Sequence, residues 1–585
     1  MSASPQSTPR AFALVLHGHL PYVLSHGTWP HGSDMLFECA AESYLPLLTV
    51  FDRLVAEGIS PKVTMGLTPV LCEQLAHPDF PEQFLHYLEQ RIQTAQENRE
   101  EFMQAHQPEL ADLAEMWHRH FDEIRTLYQE QYHRDIVGQY RRLQDGGHIE
   151  IITSSATHGY LPLLGTDASI QAQIKLAVHS YTRHFGRPPR GFWLPECAYR
   201  PRYAWKSPFA DAGPQTPQLR KGVEEFLSES GLQYFIIDTS TLLGGATSGV
   251  YLSRFGGLQR LWEQIRASYQ PAARDITKSP YRTYFVASVE SDTPPVAVFT
   301  RDERTGIQVW SGEHGYPGDG WYLDFHKKHY PGGHRYWRVT SPQVEMGEKA
   351  RYEPAHTGER VQENADHFCH LVHDLLTAQP EGAVLCAPYD AELFGHWWYE
   401  GPEWLYRVVK GIAANPAIQS MTCAEHLEAV TPEAAISLPE GSWGQGGFHW
   451  VWLNEWTEWI WREIYTAETE FTELVRLATE KDDPELQTIV NQVARELLLL
   501  EASDWPFLIS TWSARDYAER RAALHYETFT RLLNLARKHL SGVRLSAEDI
   551  QYLETYKQKD SLFPELNVRW WGHLEDKAYT TNKAS

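Results

Sequence analysis

The feature that most constrains the fold is a series of seven short apolar runs, each separated from the next by a longer polar or amphipathic stretch. The runs are FALVL (12–16), KVTMGL (62–67), HIEIITS (148–154), GFWL (191–194), YFIID (234–238), VAVFT (296–300) and AVLCA (383–387). Several are apolar throughout, the pattern of strands buried on both faces of a parallel sheet. Parallel neighbours need a long crossover between them, so strands alternating with helices predict β/α units. Seven units predict an α/β fold, a (β/α)7 barrel one strand short of the TIM barrel.

In a barrel of this kind, residues distant in sequence meet at the carboxyl ends of the strands. The seven runs lead in order into His17-Gly18-His19, Thr68-Pro69, Thr157-His158-Gly159, Pro195-Glu196, Asp238-Thr239, Arg301-Asp302 and Tyr389-Asp390. Six of the seven ends carry a carboxylate or an imidazole, which is how a catalytic face would look. Glu196 in WLPECAY and Asp390 in APYDAELFGHWW stand out because each sits among aromatics. Two carboxyls about 5–5.5 Å apart across a glycosidic bond are what retaining cleavage requires. Glu392 and Asp238 are the rival carboxylates, and spacing does not divide nucleophile from acid. His17, His19 and His158 read equally as sugar-binding groups or as ligands of a zinc-dependent hydrolase.

The other segments set the organisation. Residues 81–145 read as long polar helices over the barrel's outside. The chain makes a long excursion between Asp238 and Pro295, and a second loop, 311–340, is dense in Gly, His, Trp and Tyr. Long excursions after barrel strands serve as lids or substrate loops. After about residue 425 the strand–helix rhythm stops and helical periodicity takes over. The expected division is a barrel over 1–425, with a 240–295 lid insertion, and an all-helical domain over 426–585. The junction GSWGQGGFHWVWLNEWTEWIW packs Trp443, Trp450, Trp452, Trp456, Trp459 and Trp461 into a Gly-rich stretch.

Composition narrows the partners. Lys plus Arg number 52 against 76 Asp plus Glu, a net charge of −24. Such a surface repels phosphate backbones and anionic lipid, so neither nucleic acid nor membrane is an expected partner, whereas a neutral sugar is indifferent to it. The six cysteines lack paired spacing and read as reduced thiols. The run AFALVL is too short for a signal segment. The expectation is a cytoplasmic protein, with a monomer favoured.

The segments LHGHLPYV, GGHIEIITSSATHGYLPLL, GFWLPECAYRP, VWSGEHGYPGD, APYDAELFGHWWYEGPEWL and GSWGQGGFHWVWLNEWTEWIWR, with the later EASDWPFLISTWSARDYAERR, run through nearly the whole chain. In this order they closely resemble glycoside hydrolase family 57, and within it the 1,4-α-glucan branching enzymes. The resemblance implies a (β/α)7 barrel with a helical domain closing over the cleft, no cofactor and no metal, and an α-glucan such as amylose, amylopectin or glycogen as substrate. It makes Glu196 the nucleophile and Asp390 the acid/base. His17 and His158 would line the donor subsite, and Trp310, Trp443 and Trp452 would stack on the glucan. His396 would contact the acid/base or the sugar. It also marks two departures. Met35 stands where relatives often carry tryptophan, and the lid tyrosine follows a long insertion, with Tyr281 or Tyr284 as its candidates. The family also holds α-amylase-like hydrolases and 4-α-glucanotransferases. A metal-dependent deacetylase or mannosidase-like hydrolase and a non-catalytic glucan-binding protein are the remaining readings.

Overall fold

The computed structural model describes residues 8–245, 255–267, 269–287, 294–341 and 343–572. Its centre is the expected seven-stranded barrel, formed by β1 (Arg10–Gly18), β2 (Val63–Leu67), β3 (Ile149–Ser154), β4 (Gly191–Trp193), β5 (Tyr234–Ile237), β6 (Val296–Thr300) and β7 (Val384–Asp390). The strands pair in parallel in the order β7-β1-β2-β3-β4-β5-β6. The seam between β6 and β7 is thin: a parallel bridge joins Arg301 to Cys386, and the Asp302 N–H donates to the Cys386 carbonyl at 2.9 Å. Ile418–Ser420 adds parallel to β1, while Tyr284–Val286 runs antiparallel to β6.

Side-chain alternation explains why the strand sequences are apolar throughout. Ala11, Ala13, Val15, Tyr234, Ile236, Ala297, Phe299, Val384 and Cys386 fill the barrel interior. Their neighbours Phe12, Leu14, Leu16, Phe235, Ile237, Val298 and Leu385 pack outward against the helices. Both faces lose water, so both must be apolar. The inward parity continues to His17 on β1 and Asp390 on β7, which are register partners across the two strands. The carboxyl end of the barrel therefore receives polar groups directly above an apolar plug.

The long helices Phe80–Gln104 and Pro108–Thr126 do more than cover the barrel. They hold the 311–340 loop, through the Trp117 indole N–H on the Arg335 carbonyl at 2.6 Å and His329 on Glu101 at 3.1 Å. The chain after β7 is fixed by a close approach. Gly395 has φ +107°, and a Cβ there would lie 1.7 Å from the Glu42 carbonyl oxygen, so only glycine fits.

The helices Glu458–Ala478, Pro484–Leu500, Asp504–Thr511, Arg515–Leu540 and Ala547–Lys559 build the C-terminal part. The second begins on Asp483, whose side chain accepts from the Glu485 and Leu486 N–H groups, with Pro484 in the first turn. In the 240–295 insertion the described helices are Thr239–Leu243, at its start, and Gly256–Ile265; residues 246–254, 268 and 288–293 lie outside the described residues. All six cysteines are unpaired. Among the described residues no helix is long and apolar enough to cross a membrane.

Candidate active site

Glu196 follows β4 in a tight turn that holds it in the left-handed region, at φ 61° and ψ 24°, with Cys197 at φ 49°. A non-glycine residue there costs about 1–2 kcal/mol. Three backbone bonds hold the turn: the Cys197 N–H to the Leu194 carbonyl at 2.8 Å, the Ala198 N–H to Pro195 at 3.0 Å, and the Trp443 N–H to Glu196 itself at 3.1 Å. The Trp443 indole N–H then donates to Glu196 Oε2 at 2.7 Å. Burial pushes the Glu196 carboxyl up to about 7; the Trp443 hydrogen bond pulls the other way, favouring the ionised form.

Asp390 ends β7 and keeps part of its surface open. Burial raises its carboxyl well above the usual range, and the charges of Glu392 and Glu196 push it further up against the opposing Arg301. Both carboxyls face like charge, from Asp504 for Glu196 and from Glu392 and Glu196 for Asp390, but on Glu196 the Trp443 hydrogen bond favours the charged form. That contrast favours a proton on Asp390 and an anion on Glu196.

The histidines form a stack between them. His17 lies on Trp193 with ring centres 4.5 Å apart, and His19 lies on His158 at 3.9 Å. His17 Nε2 is 3.2 Å from His158 Nε2, and the other nitrogen of His158 meets the Ser503 hydroxyl at 2.8 Å. Burial holds both His17 and His158 well below the usual imidazole range, so both are neutral. His19 differs. Burial lowers it, but the Asp504 carboxylate, 3.1 Å from Nε2, together with the charges of Glu392 and Glu196 raises it. His19, His158 and Asp504 bring ligand atoms within 4.8 Å of one another, the spacing of a metal site. Each ring nitrogen of the two histidines already has a protein partner: Thr68 and Asp504 for His19, His17 and Ser503 for His158. A metal would have to break that network.

One cleft is lined by Glu196, Asp390, His17, His19, His158, Trp310, His396, Trp443 and Trp452, with Met35, Glu392 and Asp504. Several residues sit differently from their expected roles. Trp310 and Trp452 are buried to 3% and 1% exposure, Trp452 stacked on Tyr160 at 4.6 Å, so they back the wall and offer little open face. Trp443 acts on Glu196 through its N–H. His396 is turned to Glu42, at 2.9 Å. Tyr281 and Tyr284 do not line the cleft: the Tyr281 hydroxyl donates to Asp302 at 2.8 Å, and Tyr284 is buried in the edge strand, its hydroxyl accepting from the Ser279 N–H. Phe255 and Leu258 bring the insertion to the cleft instead. Of the rival carboxylates, Asp238 caps the Ser240 N–H and pairs with Arg301 at 2.5 Å, while Glu392 accepts from the His19 N–H and the Tyr44 hydroxyl.

Sequence reasoning missed Ser503 and Asp504. They lie in EASDWP, one of the segments that carry the family resemblance, and no local pattern ties them to histidines hundreds of residues away.

Comparison with known proteins agrees with this geometry. Residues 13–439 match glycosyl hydrolase family 57, and residues 463–571 match the 1,4-alpha-glucan branching enzyme C-terminal family. The chain is 40% identical to a 1,4-alpha-glucan branching enzyme of Thermococcus kodakarensis, over 95% of this chain and 77% of that one. The crystal structure of a GH57-type branching enzyme from Pyrococcus horikoshii superposes with a TM-score of 0.83 at 37% identity, covering 97% of each chain. The alpha-amylase AmyC of Thermotoga maritima superposes at 0.76 with 27% identity, covering 97% of this chain and 99% of that one. With the barrel matched over most of its length and the helical part matched as well, the chain belongs to glycosyl hydrolase family 57.

Proposed function

We propose that this chain is a 1,4-α-glucan branching enzyme working through a covalent glycosyl-enzyme. Glu196 attacks C1 of an α-1,4-linked glucose while Asp390 gives its proton to the leaving glycosidic oxygen. The donor chain is then held on Glu196 and the reducing-side chain departs. Asp390, now ionised, takes the proton of an acceptor 6-hydroxyl as that oxygen displaces Glu196 from C1. Two inversions give an α-1,6 linkage with net retention. The observation that carries this reading is the Trp443 indole N–H on Glu196 Oε2, which favours the nucleophile's anion, in the cleft that also holds the raised Asp390 carboxyl.

Water competes with the acceptor for the glycosyl-enzyme. The apolar wall of Phe255, Leu258, Phe507 and Leu508 keeps part of the cleft dry. The close likeness to an alpha-amylase makes hydrolysis the second reading.

Incubation with amylose separates the two. Branching gives growing α-1,6 anomeric proton signals and fading iodine colour with few new reducing ends. A rapid gain of reducing ends without α-1,6 signals would replace the proposal with a hydrolase, and redistribution into longer and shorter linear chains would replace it with a 4-α-glucanotransferase.

A further inference from the structure

The 311–340 loop has no part in the chemistry above, yet it reaches the rim of the cleft through Phe325. Trp397 lies over that ring, centres 4.3 Å apart and planes inclined by 31°. The indole lines the cleft and is 39% exposed, against 3% and 1% for Trp310 and Trp452. It therefore turns part of its indole to the cleft.

The platform is braced from below and behind. His396 meets both rings edge-on, at 5.3 and 5.5 Å. It is held in turn by Glu42 at 2.9 Å and by its own N–H on the Ser43 hydroxyl at 3.1 Å. The Trp397 N–H donates to the Glu392 carbonyl at 3.1 Å, folding the chain back over the turn that follows Asp390. Polar groups lie at the edge. Lys328 Nζ stands 5.3 Å from the Phe325 ring centre and 4.0 Å from Glu38, which also lines the cleft. Glu38 and Lys328 border a second groove in which Tyr330 is 62% exposed, so the surface continues outward from the platform.

A flat apolar face with hydrogen-bonding groups at its edge matches a pyranose ring, whose C–H face stacks while its hydroxyls point outward. The side of the cleft follows from the chemistry. Asp390 gives its proton to the departing oxygen and later receives one from the attacking hydroxyl, so sugars beyond Asp390 belong to the leaving or accepting chain. Trp397 lies on the segment that follows Asp390, its backbone tied to Glu392 two residues beyond it.

We propose that Trp397, backed by Phe325, is an acceptor-side platform that stacks the incoming α-glucan chain and so favours transfer over hydrolysis. This rests on the branching reading given above.

The test uses the full chain with saturating amylose as donor and reducing-end-labelled maltoheptaose as added acceptor. Labelled transfer product and new reducing ends are followed as acceptor concentration rises. Trp397→Ala should raise the acceptor KM roughly tenfold and raise the hydrolysed share of cleaved chains. Trp397→Phe, which keeps a flat ring, should restore most of the loss. Trp397→Leu fills the space over Phe325 without a flat face and should behave like the alanine variant, which keeps the test open should alanine disturb folding. An unchanged acceptor KM and transfer share in the alanine or leucine variant would overturn the proposal, as would a loss confined to donor KM. A parent enzyme that makes no α-1,6 linkage would sink the branching reading alone. The platform would then be judged on linear transfer products, or on inhibition of hydrolysis by maltoheptaose.

Discussion

The two walls of the cleft are built on different principles. The barrel wall presents Glu196, Asp390 and the histidines from strand ends, where parallel register fixes their spacing. The C-terminal wall presents Trp443, Ser503 and Asp504 from a Gly-rich junction and the start of a helix, and each is bonded to a group on the barrel wall. On the proposed mechanism the barrel supplies the reacting atoms and the helical part contributes to their electrostatic setting. Catalysis on that mechanism depends on the contact between the two parts, since the Trp443 donor on Glu196 and the Asp504 anion beside His19 both come from the helical wall.

The comparison can be pressed hardest on the barrel wall. Glu196→Gln removes the attacking anion and should lower branching and hydrolysis alike by roughly 10⁴-fold or more, read from amylose turnover. Substantial residual activity would mean that the nucleophile lies elsewhere.

On the helical wall the losses should be smaller. Asp504→Asn leaves the reacting groups intact but takes away the anion that raises His19. Turnover on amylose should fall roughly 10- to 100-fold, the range for a lost charged hydrogen bond, and the His19 titration followed by NMR should move to lower pH. An unmoved titration would leave Asp504 as packing only.

Trp443→Phe should have the mildest effect and the most diagnostic one. The nucleophile must be ionised, so activity falls as pH drops through the Glu196 pKa, which burial has pushed up to about 7. Removing the Trp443 donor withdraws a contribution that lowers that value, so the acidic limb should shift upward, by about one pH unit. The alkaline limb, set by the proton on Asp390, should stay where it is. A downward shift of the acidic limb, or none, would contradict the role given to the indole.

Much of the barrel wall was legible in the chain. Strands buried on both faces are mostly apolar along their length, so β5 and β6 announce themselves as continuous runs. The residue that follows such a run in a barrel stands at the carboxyl face, which brings His17, Glu196 and Asp390 together without knowledge of any contact. The tryptophans were visible as a cluster but not as individuals. Exposure separates Trp397 from Trp310 and Trp452, and exposure depends on what packs over each ring. The lid tyrosines failed for a related reason: Tyr281 and Tyr284 belong to an edge strand and its approach, which the sequence did not distinguish from a loop.

By itself, then, the sequence determined the seven-stranded barrel, the carboxyl-end residues and the change to helix after the barrel, because each follows from local burial and chain order. Only the tertiary structure decided that Trp443 donates to Glu196, that Asp504 pairs with His19 and that Glu42 turns His396 aside. Those pairs join residues 247, 485 and 354 positions apart, and nothing in local periodicity encodes a contact at that range. The physical reason is that a pKa and a hydrogen bond depend on every group within a few ångströms, and only the packed chain says which groups those are.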